Sequence, residues 1–156
     1  MALEIERKFL VDKAKWAELP KPAGILYRQG YLDDLPGKTI RVRIAGDKGY
    51  LTIKGVPINT VRKEFEYEIP CSDALEMIEL FTRQQVEKTR YNILFNQKTW
   101  EVDVFSGDNE GLIIAEIELT HPGESFSLPS WIGDEVTDDL KYYNSSLASH
   151  PYSGWL

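Results

Sequence analysis

Residues 3–10 read LEIERKFL and alternate between apolar and charged side chains, which is the pattern of a β-strand. On such a strand Glu4, Glu6 and Lys8 project to one side, and the other side is mainly apolar. Carboxylates two residues apart on a strand are separated by roughly 6–7 Å. They repel each other unless a cation lies between them, and their hard oxygen atoms suit Mg²⁺ or Mn²⁺. This stretch therefore predicts a strand that carries a metal site.

The same alternation recurs along the chain and predicts about eight strands, mostly in hairpin succession. After the first strand, the predicted strands are 25–33, 39–45, 50–55, 61–69, 85–95, 99–105 and 111–120. Residues 34–37 (DLPG) predict a turn. Many strands with few helices favour an α+β, mainly β fold, in which an antiparallel sheet or barrel carries its helices on the outside.

Two helices are predicted between the strands and a third in the tail. The first spans residues 12–19, and the second spans residues 73–82 with its cap at Pro70 and Ser72. Their apolar spacing assigns Leu75, Ile78 and Phe81, or Met77 and Leu80, to the buried stripe of the second helix. The third helix begins at a cap on Thr137 or Asp138 and continues to about Ala148.

Length and composition limit the class of protein. A chain of 156 residues predicts a single domain over 1–156. The net charge of −7 argues against binding to bulk nucleic acid or to an anionic membrane. Cys71 is the only cysteine, which excludes an internal disulfide and fits a reducing compartment. We find no signal-peptide pattern and no apolar run of ~18 residues, so we expect a soluble, cytoplasmic protein.

Full charges occupy the polar face of strand after strand. The set is Glu4, Glu6, Glu64, Glu66, Asp103, Glu116 and Glu118, with Lys8, Arg41, Arg43, Lys54, Arg62, Lys88 and Arg90. Taken by itself, each strand is better explained as a solvated, salt-bridged surface. If the sheet closes into a barrel, however, these faces converge on its interior, where charges are costly unless they are paired or ligated.

Such an interior predicts a guest that carries both metal and phosphate. Arginine and lysine bind phosphate oxygens directly, and carboxylates hold the divalent ion that bridges to them. A single phosphate would leave most of the cations unused, whereas a linear triphosphate would engage them. No Gly-rich phosphate loop, nucleophile elbow or metal-spaced Cys or His cluster offers another site.

Short motifs follow one another in order from the first strand to the tail. EIERKF at residues 4–9 is followed by YRQGYL, RVR, TIKG, RKEFEYE, VEKTRY, EVDVF, AEIEL and EVTDDLKYYNSSLA. This ordered set resembles the CYTH superfamily of triphosphate tunnel metalloenzymes, whose signature is ExExK. ExExK alone is a weak pattern, but the whole set is highly specific. The chain is most similar to the short, single-domain bacterial members that resemble inorganic tripolyphosphatases.

The resemblance implies an eight-stranded antiparallel β-barrel, the triphosphate tunnel, with a few flanking helices and a C-terminal helix. It also implies hydrolysis of a phosphoanhydride bond with Mg²⁺ or Mn²⁺ as cofactor. The metal ligands would be Glu4, Glu6, Glu116 and Glu118. The phosphate-binding residues would be Lys8, Arg41, Arg43, Lys54, Lys88 and Arg90.

Several further roles follow with open alternatives. Glu64 and Glu66 are assigned to positioning and activating the attacking water, or to orienting an arginine. Lys88 is assigned to the leaving oxygen and Arg90 to the charge on the transferred group. Tyr31 is assigned to a terminal phosphate or water, or to packing alone.

The remaining charges receive supporting roles. Asp103 is expected in the substrate site, where it fixes an arginine or a lysine rather than a metal. Lys141 is expected to reach into the tunnel with Tyr142 at the mouth, unless the tail helix docks only for stability. Arg7, Arg62, Glu68 and Glu101 are expected to be outer or supporting charges.

The leading functional hypothesis is metal-dependent hydrolysis of a small-molecule triphosphate, namely inorganic tripolyphosphate, to pyrophosphate and phosphate. Within the same fold the alternatives are a class IV-type adenylyl cyclase and a thiamine triphosphatase, which need an adenine or thiamine pocket that the sequence does not identify. A non-catalytic polyphosphate or nucleotide sensor is a further alternative. Four carboxylates suited to metal binding favour catalysis. Assembly into a homodimer is left open.

Overall fold

The computed structural model describes residues 2–33 and 37–155, and within these ranges nine β-strands form one antiparallel sheet. The strands are β1 (Ala2–Val11), β2 (Ile25–Asp33), β3 (Lys38–Ala45), β4 (Lys48–Gly55), β5 (Val61–Ile69), β6 (Gln85–Phe95), β7 (Lys98–Phe105), β8 (Ile113–Glu118) and β9 (Ile132–Glu135). Three of the four residues in the predicted 34–37 turn lie outside the described residues.

Strand β1 closes the sheet into a barrel. The strand order is β5-β4-β3-β2-β6-β7-β8-β1, and β1 also pairs with β5. Residues 2–5 of β1 pair with β5, and residues 6–10 pair with β8, so the first strand is shared between two neighbours. The predicted eight-stranded antiparallel barrel is confirmed. Strand β9, which pairs with the end of β1, was not predicted because IGDE contains a single large apolar residue.

The main apolar core lies on the outside of this barrel. Ile5 and Phe9 on β1, Trp100 on β7 and Ile117 on β8 face away from the charged side chains of the same strands and are buried. They are covered by α1 (Lys13–Glu18) and by the segment that precedes β9, through aromatic side chains packed edge to face. The outward faces therefore supply the hydrophobic stabilisation, and the interior is left for charges.

Helix α2 (Cys71–Phe81) covers β3 and β4 on the outside. It begins two residues earlier than predicted, and no side chain caps it. Its buried residues are Ala74 and Ile78, whereas Phe81 is exposed. A Cβ atom added to Gly49 would lie 2.8 Å from the Ala74 Cβ atom. The close approach of the small Ala74 to Gly49, which apolar spacing does not reveal, therefore sets the buried stripe.

The tail is shorter in helix than predicted. A 3₁₀ turn over Leu140–Tyr142 is followed by α3 (Asn144–Ser149), and further 3₁₀ turns span Gly107–Asn109 and Tyr152–Gly154. Leu147 of α3 is buried against Val86 and Phe105, whose side chains face the barrel interior. The tail thus closes one end of the barrel. None of the described helices is long and apolar enough to cross a membrane.

Candidate active site

A cavity of about 170 Å³ occupies the barrel interior and is lined by side chains from all eight barrel strands. Among the described residues that line it are seven carboxylates and seven cations. The carboxylates are Glu4, Glu6, Glu64, Glu66, Glu101, Glu116 and Glu118, and the cations are Lys8, Arg41, Arg43, Lys54, Arg62, Lys88 and Arg90. By formal charge this lining is neutral, because each carboxylate is balanced by a cation.

The carboxylates gather on the inward faces of β5, β1 and β8, which are neighbours in the barrel. We call this set the acidic wall; its members are Glu4, Glu6, Glu64, Glu116 and Glu118. Glu6 lies directly opposite Glu118 in the β1–β8 ladder, and Glu116 lies directly opposite Glu101 in the β7–β8 ladder. Like charges in such positions destabilise a sheet. The wall would therefore gain stability from a bound cation.

The pKa values of two of these carboxyl groups reflect this crowding. Partial burial, followed by the charges of Glu4, Glu101 and Glu6, raises the pKa of Glu118. Burial also raises the pKa of Glu101, although Arg90 opposes the effect. Both groups take up a proton more readily than an isolated glutamate does, because burial and neighbouring carboxylates disfavour their charged forms.

Two lysines lie between the carboxylates of the acidic wall. Lys8 Nζ is 2.8 Å from Glu116 Oε1 and 3.2 Å from Glu6 Oε1. Burial disfavours the ammonium charge of Lys8, but Glu116 and Glu6 outweigh it and raise the pKa, so Lys8 stays protonated. Lys54 Nζ is 2.7 Å from Glu4 Oε2 and 3.4 Å from Glu64 Oε2.

One oxygen of this wall is left over. Glu4 Oε1 is buried and accepts no hydrogen bond from the described part of the chain, and the guanidinium of Arg62 is 3.6 Å away. Within residues 2–33 and 37–155, no three His, Cys, Asp or Glu side chains converge into a ready-made metal cage. Mg²⁺ does not require such a cage, since it is usually held by one or two carboxylates together with water and substrate phosphate. The donor atoms of the acidic wall are all oxygens, and one of them, Glu4 Oε1, accepts no hydrogen bond from a described residue. Such a donor set fits an ion of this type.

The opposite side of the interior carries cations. We call the inward-facing Arg41, Arg43, Lys88 and Arg90 the basic wall; they lie on β3 and β6, on either side of β2. Strands β4 and β7 separate the two walls around the barrel. The Nε atoms of Arg41 and Arg43 are buried, and neither donates a hydrogen bond to a residue that the structure describes. Because unpaired buried donors are costly, phosphate oxygens at this wall would be stabilising.

Asp103 lies behind the basic wall, and it is not among the side chains that line the cavity. Its Oδ1 accepts from Arg90 Nε at 2.8 Å, and its Oδ2 accepts from Arg90 Nη2 at 3.0 Å and from Lys88 Nζ at 2.7 Å. Burial raises the pKa of this carboxyl, but Arg90 and Lys88 outweigh burial and lower it. Asp103 therefore fixes an arginine and a lysine, as the sequence indicates, and its assignment to the substrate site stays a prediction.

Lys88 differs from the other lysines of the interior. Besides Asp103, which it shares with Arg90, Lys88 Nζ donates a hydrogen bond to only one other described residue, Asn144, whose Oδ1 is 3.2 Å away. Burial lowers the pKa of Lys88 to about 8, Arg90 adds to this effect, and Asp103 opposes it. Lys88 is therefore a cavity-lining cation that gives up its proton more readily than an exposed lysine does.

The three residues assigned to catalysis besides Lys88 and Arg90 also line the cavity, and each already has a polar partner. Glu66 Oε1 accepts from Arg43 Nη2 at 2.9 Å, and Glu64 pairs with Lys54. The Tyr31 hydroxyl accepts a hydrogen bond from Gln29 Nε2 at 2.8 Å, and burial raises its pKa. These contacts favour the alternative in which the two glutamates orient cations.

Lys141 is not brought into the tunnel. It is exposed, and its Nζ lies 4.8 Å from the centre of the Trp155 ring. The tail side chains that line the cavity are Tyr143, Asn144 and Ser145. The break between the 3₁₀ turn and α3 leaves residue 141 outside and turns residues 143–145 inward. The sequence predicted one continuous helix in the tail and therefore did not predict this break.

Arg62 and Glu101 were expected outside or in support, but both line the cavity. Strand alternation contained the signal, because Arg62 has the same parity as Glu64 on β5 and Glu101 has the same parity as Asp103 on β7. Arg7 lies outside the barrel as expected, and its Nε donates to Glu135 at 2.8 Å.

The chain is similar to known proteins over most of its length. A sequence model of the CYTH domain matches residues 2–152. An inorganic triphosphatase of Acetivibrio thermocellus is 49% identical over 156 residues, covering 99% of both chains. An inorganic triphosphatase of Nitrosomonas europaea is 36% identical over 151 residues, covering 93% of this chain and 96% of that protein. A crystal structure of an inorganic triphosphatase superposes with a TM-score of 0.66 at 34% identity, covering 95% of each chain. The chain belongs to the CYTH domain family.

Proposed function

We propose that the protein is an inorganic triphosphatase that hydrolyses linear tripolyphosphate to pyrophosphate and phosphate. The observation that carries this proposal is the division of one closed interior into an acidic and a basic wall that face each other. A free anion would meet the carboxylates, and a free metal ion would meet the arginines. A metal–triphosphate complex satisfies both walls. The names of the two curated relatives support the same activity.

The basic wall supplies phosphate binding in this proposal. Arg41, Arg43 and Arg90 offer planar forks to the phosphate oxygens, and Lys88 offers a point charge. In the reaction, water oxygen bonds to the terminal phosphorus and the bond to the bridging oxygen breaks. Catalysis of phosphoryl transfer is mainly positioning and charge neutralisation. Lys88, with a pKa of about 8, is suited to neutralise the leaving oxygen or to donate a proton to it.

The acidic wall supplies metal binding. Glu4, Glu6, Glu116 and Glu118 would hold Mg²⁺ or Mn²⁺, which the all-oxygen donor set favours. When bound, a divalent ion supplies charge neutralisation and orientation of phosphate oxygens. Lys8 and Lys54 form ion pairs with Glu116 and Glu4, which reduces the repulsion among the carboxylates, and both lysines would remain available to phosphate oxygens.

Glu64 and Glu66 either position and activate the attacking water or orient a neighbouring cation. Because Glu66 binds Arg43 and Glu64 binds Lys54, both support the cations that hold phosphate. Their assignment to the attacking water stays a prediction. Loss of that function would appear as a fall in kcat, whereas loss of cation support would appear as a rise in KM.

Phosphate release from tripolyphosphate tests the proposal. Purified protein is assayed with Mg²⁺, with Mn²⁺ and with EDTA, and we expect phosphate only when a divalent ion is present. ATP, thiamine triphosphate and pyrophosphate are assayed in parallel, with product identification. A cyclic nucleotide from ATP would support the cyclase alternative. Tight binding of one anion without turnover of any would overturn the proposal in favour of a sensor.

The homodimer that the sequence leaves open stays a prediction. Every side chain that the proposed reaction uses comes from one chain, since all of them line the interior of one barrel. The proposal therefore does not depend on self-association.

A further inference from the structure

Tyr27 on β2 contacts three of the four cations of the basic wall. The centre of its ring is 4.7 Å from Arg90 Cζ, 5.1 Å from Arg43 Cζ and 5.9 Å from Lys88 Nζ. This follows from strand position, because β2 lies between β3 and β6, and Tyr27 is directly opposite Lys88 in the β2–β6 ladder. The sequence indicated no role for this residue, which is not among the side chains that line the cavity.

The three cations need something that holds them together. Arg43 is buried close to Arg41 and Arg90, and like charges at such positions repel. A further carboxylate would bring the cations together, but its negative charge would also repel the phosphate that they bind. The electron-rich face of an aromatic ring attracts cations and carries no formal charge. A tyrosine ring at this place therefore groups the cations without weakening their attraction for an anion.

We propose that Tyr27 is a positioning residue that holds Arg43, Arg90 and Lys88 in the arrangement that binds the phosphate chain. This inference rests on the proposed function for the identity of the anion. It does not rest on turnover, because the arrangement exists in the free protein. The ring rather than the hydroxyl carries the role, since the hydrogen bonds that the three cations make to described residues go to Glu66, Glu101, Asp103 and Asn144 and not to the Tyr27 hydroxyl.

Matched variants separate the ring from its hydroxyl and from general packing. Tyr27→Phe keeps the aromatic face and removes the hydroxyl. Tyr27→Leu removes the aromatic face and keeps an apolar side chain. Tyr50→Leu is the control for packing, because Tyr50 on β4 contacts Arg43, at 5.5 Å, and no other cation of the basic wall.

Binding of tripolyphosphate is measured by calorimetry in EDTA, where no turnover is expected, and kcat and KM are measured with Mg²⁺. For Tyr27→Leu we expect Kd and KM to rise about tenfold. We expect kcat to fall as well, because Lys88 and Arg90, which act on the leaving and transferred groups in the proposed reaction, lose the same support. For Tyr27→Phe and Tyr50→Leu we expect both constants to change by less than about threefold. Thermal unfolding of each variant verifies that it is folded.

Equal losses of affinity in Tyr27→Leu and Tyr50→Leu would overturn the inference, because general packing would then explain them. An equal loss in Tyr27→Phe would assign the effect to the hydroxyl and would also overturn it. NMR spectra of the arginine Nε–H groups give a readout in the free protein. We expect the Arg43 and Arg90 signals to move in Tyr27→Leu and to stay nearly in place in Tyr27→Phe.

The outcomes for the inference and for the proposed function are distinguishable. If the parent protein binds tripolyphosphate but releases no phosphate, the proposed function fails and the Kd comparison still tests Tyr27. If the Arg43 and Arg90 signals do not move in Tyr27→Leu, the inference fails whatever the activity.

Discussion

Lys8 and Lys88 are both buried inside the same barrel, yet their pKa values shift in opposite directions. Lys8 lies on the acidic wall between Glu6 and Glu116, which hold its proton in place. Lys88 lies on the basic wall, shares Asp103 with Arg90, and has a pKa of about 8. Burial alone therefore does not decide the charge of an interior lysine. The local balance of carboxylates and cations decides it.

The largest expected effect concerns the acidic wall. Glu118→Gln and Glu4→Gln are expected to lower kcat for tripolyphosphate at least about 100-fold with Mg²⁺, because each removes a carboxylate that we propose as a metal ligand. Binding of tripolyphosphate in EDTA should not weaken, because the lost charge repels the anion. Phosphate release and calorimetry measure the two quantities. Weakened binding in EDTA would indicate that these glutamates support phosphate rather than metal.

The same pair of variants also tests the repulsion within this wall. In Glu118→Gln one member of the directly opposed pair with Glu6 becomes neutral. We therefore expect its midpoint of thermal unfolding to be equal to or higher than that of the parent. A clear decrease would mean that Glu118 is held by partners that stabilise its charge.

A second large effect is expected behind the basic wall. Asp103→Asn leaves Arg90 and Lys88 without their buried counter-charge, so we expect the free energy of unfolding to fall by about 3 kcal/mol. Glu135→Gln is the matched control, because the Arg7–Glu135 pair is partly exposed, and its loss should cost less than about 1 kcal/mol. Urea denaturation measures both. Equal losses in the two variants would remove the distinction between interior and exterior pairs.

A smaller effect separates the two lysines by pH. Below about pH 8 Lys88 is protonated and attracts phosphate, and above about pH 8 it loses the proton. The Kd for tripolyphosphate in EDTA should therefore rise about tenfold between about pH 7 and pH 9. Lys88→Arg should abolish this rise, because arginine does not titrate in this range. Calorimetry across this range measures it. A rise that persists in Lys88→Arg would assign the titration to another group.

The smallest effect concerns the tail. Because Lys141 lies outside the tunnel, Lys141→Ala should change KM for tripolyphosphate by less than about twofold. Arg62→Ala is the comparison, since Arg62 lines the cavity, and it should raise KM about tenfold. Steady-state kinetics distinguish the two. A similar rise in both variants would place Lys141 in the substrate path.

Strand alternation predicted a large part of the site. It assigned Glu4, Glu6 and Lys8 to one face of β1, and Arg41 and Arg43 to one face of β3, and all of them line the cavity. It could not show that Asp103 lies behind Lys88 and Arg90, because alternation indicates which face of a strand a side chain occupies and not how deeply that side chain is buried. It also gave no signal for Tyr27, whose contacts come from two neighbouring strands.

The amino-acid sequence alone was sufficient to predict which side chains share a face of a strand and which strands follow one another as hairpins. Both properties depend on residues that are close together in the chain. Only the tertiary structure decided that β1 joins β5 and β8 and so turns every charged face inward. It also decided that Lys88 titrates lower than Lys8, and that the tail directs Tyr143 rather than Lys141 into the tunnel. These properties depend on distances across the barrel, which no local pattern encodes.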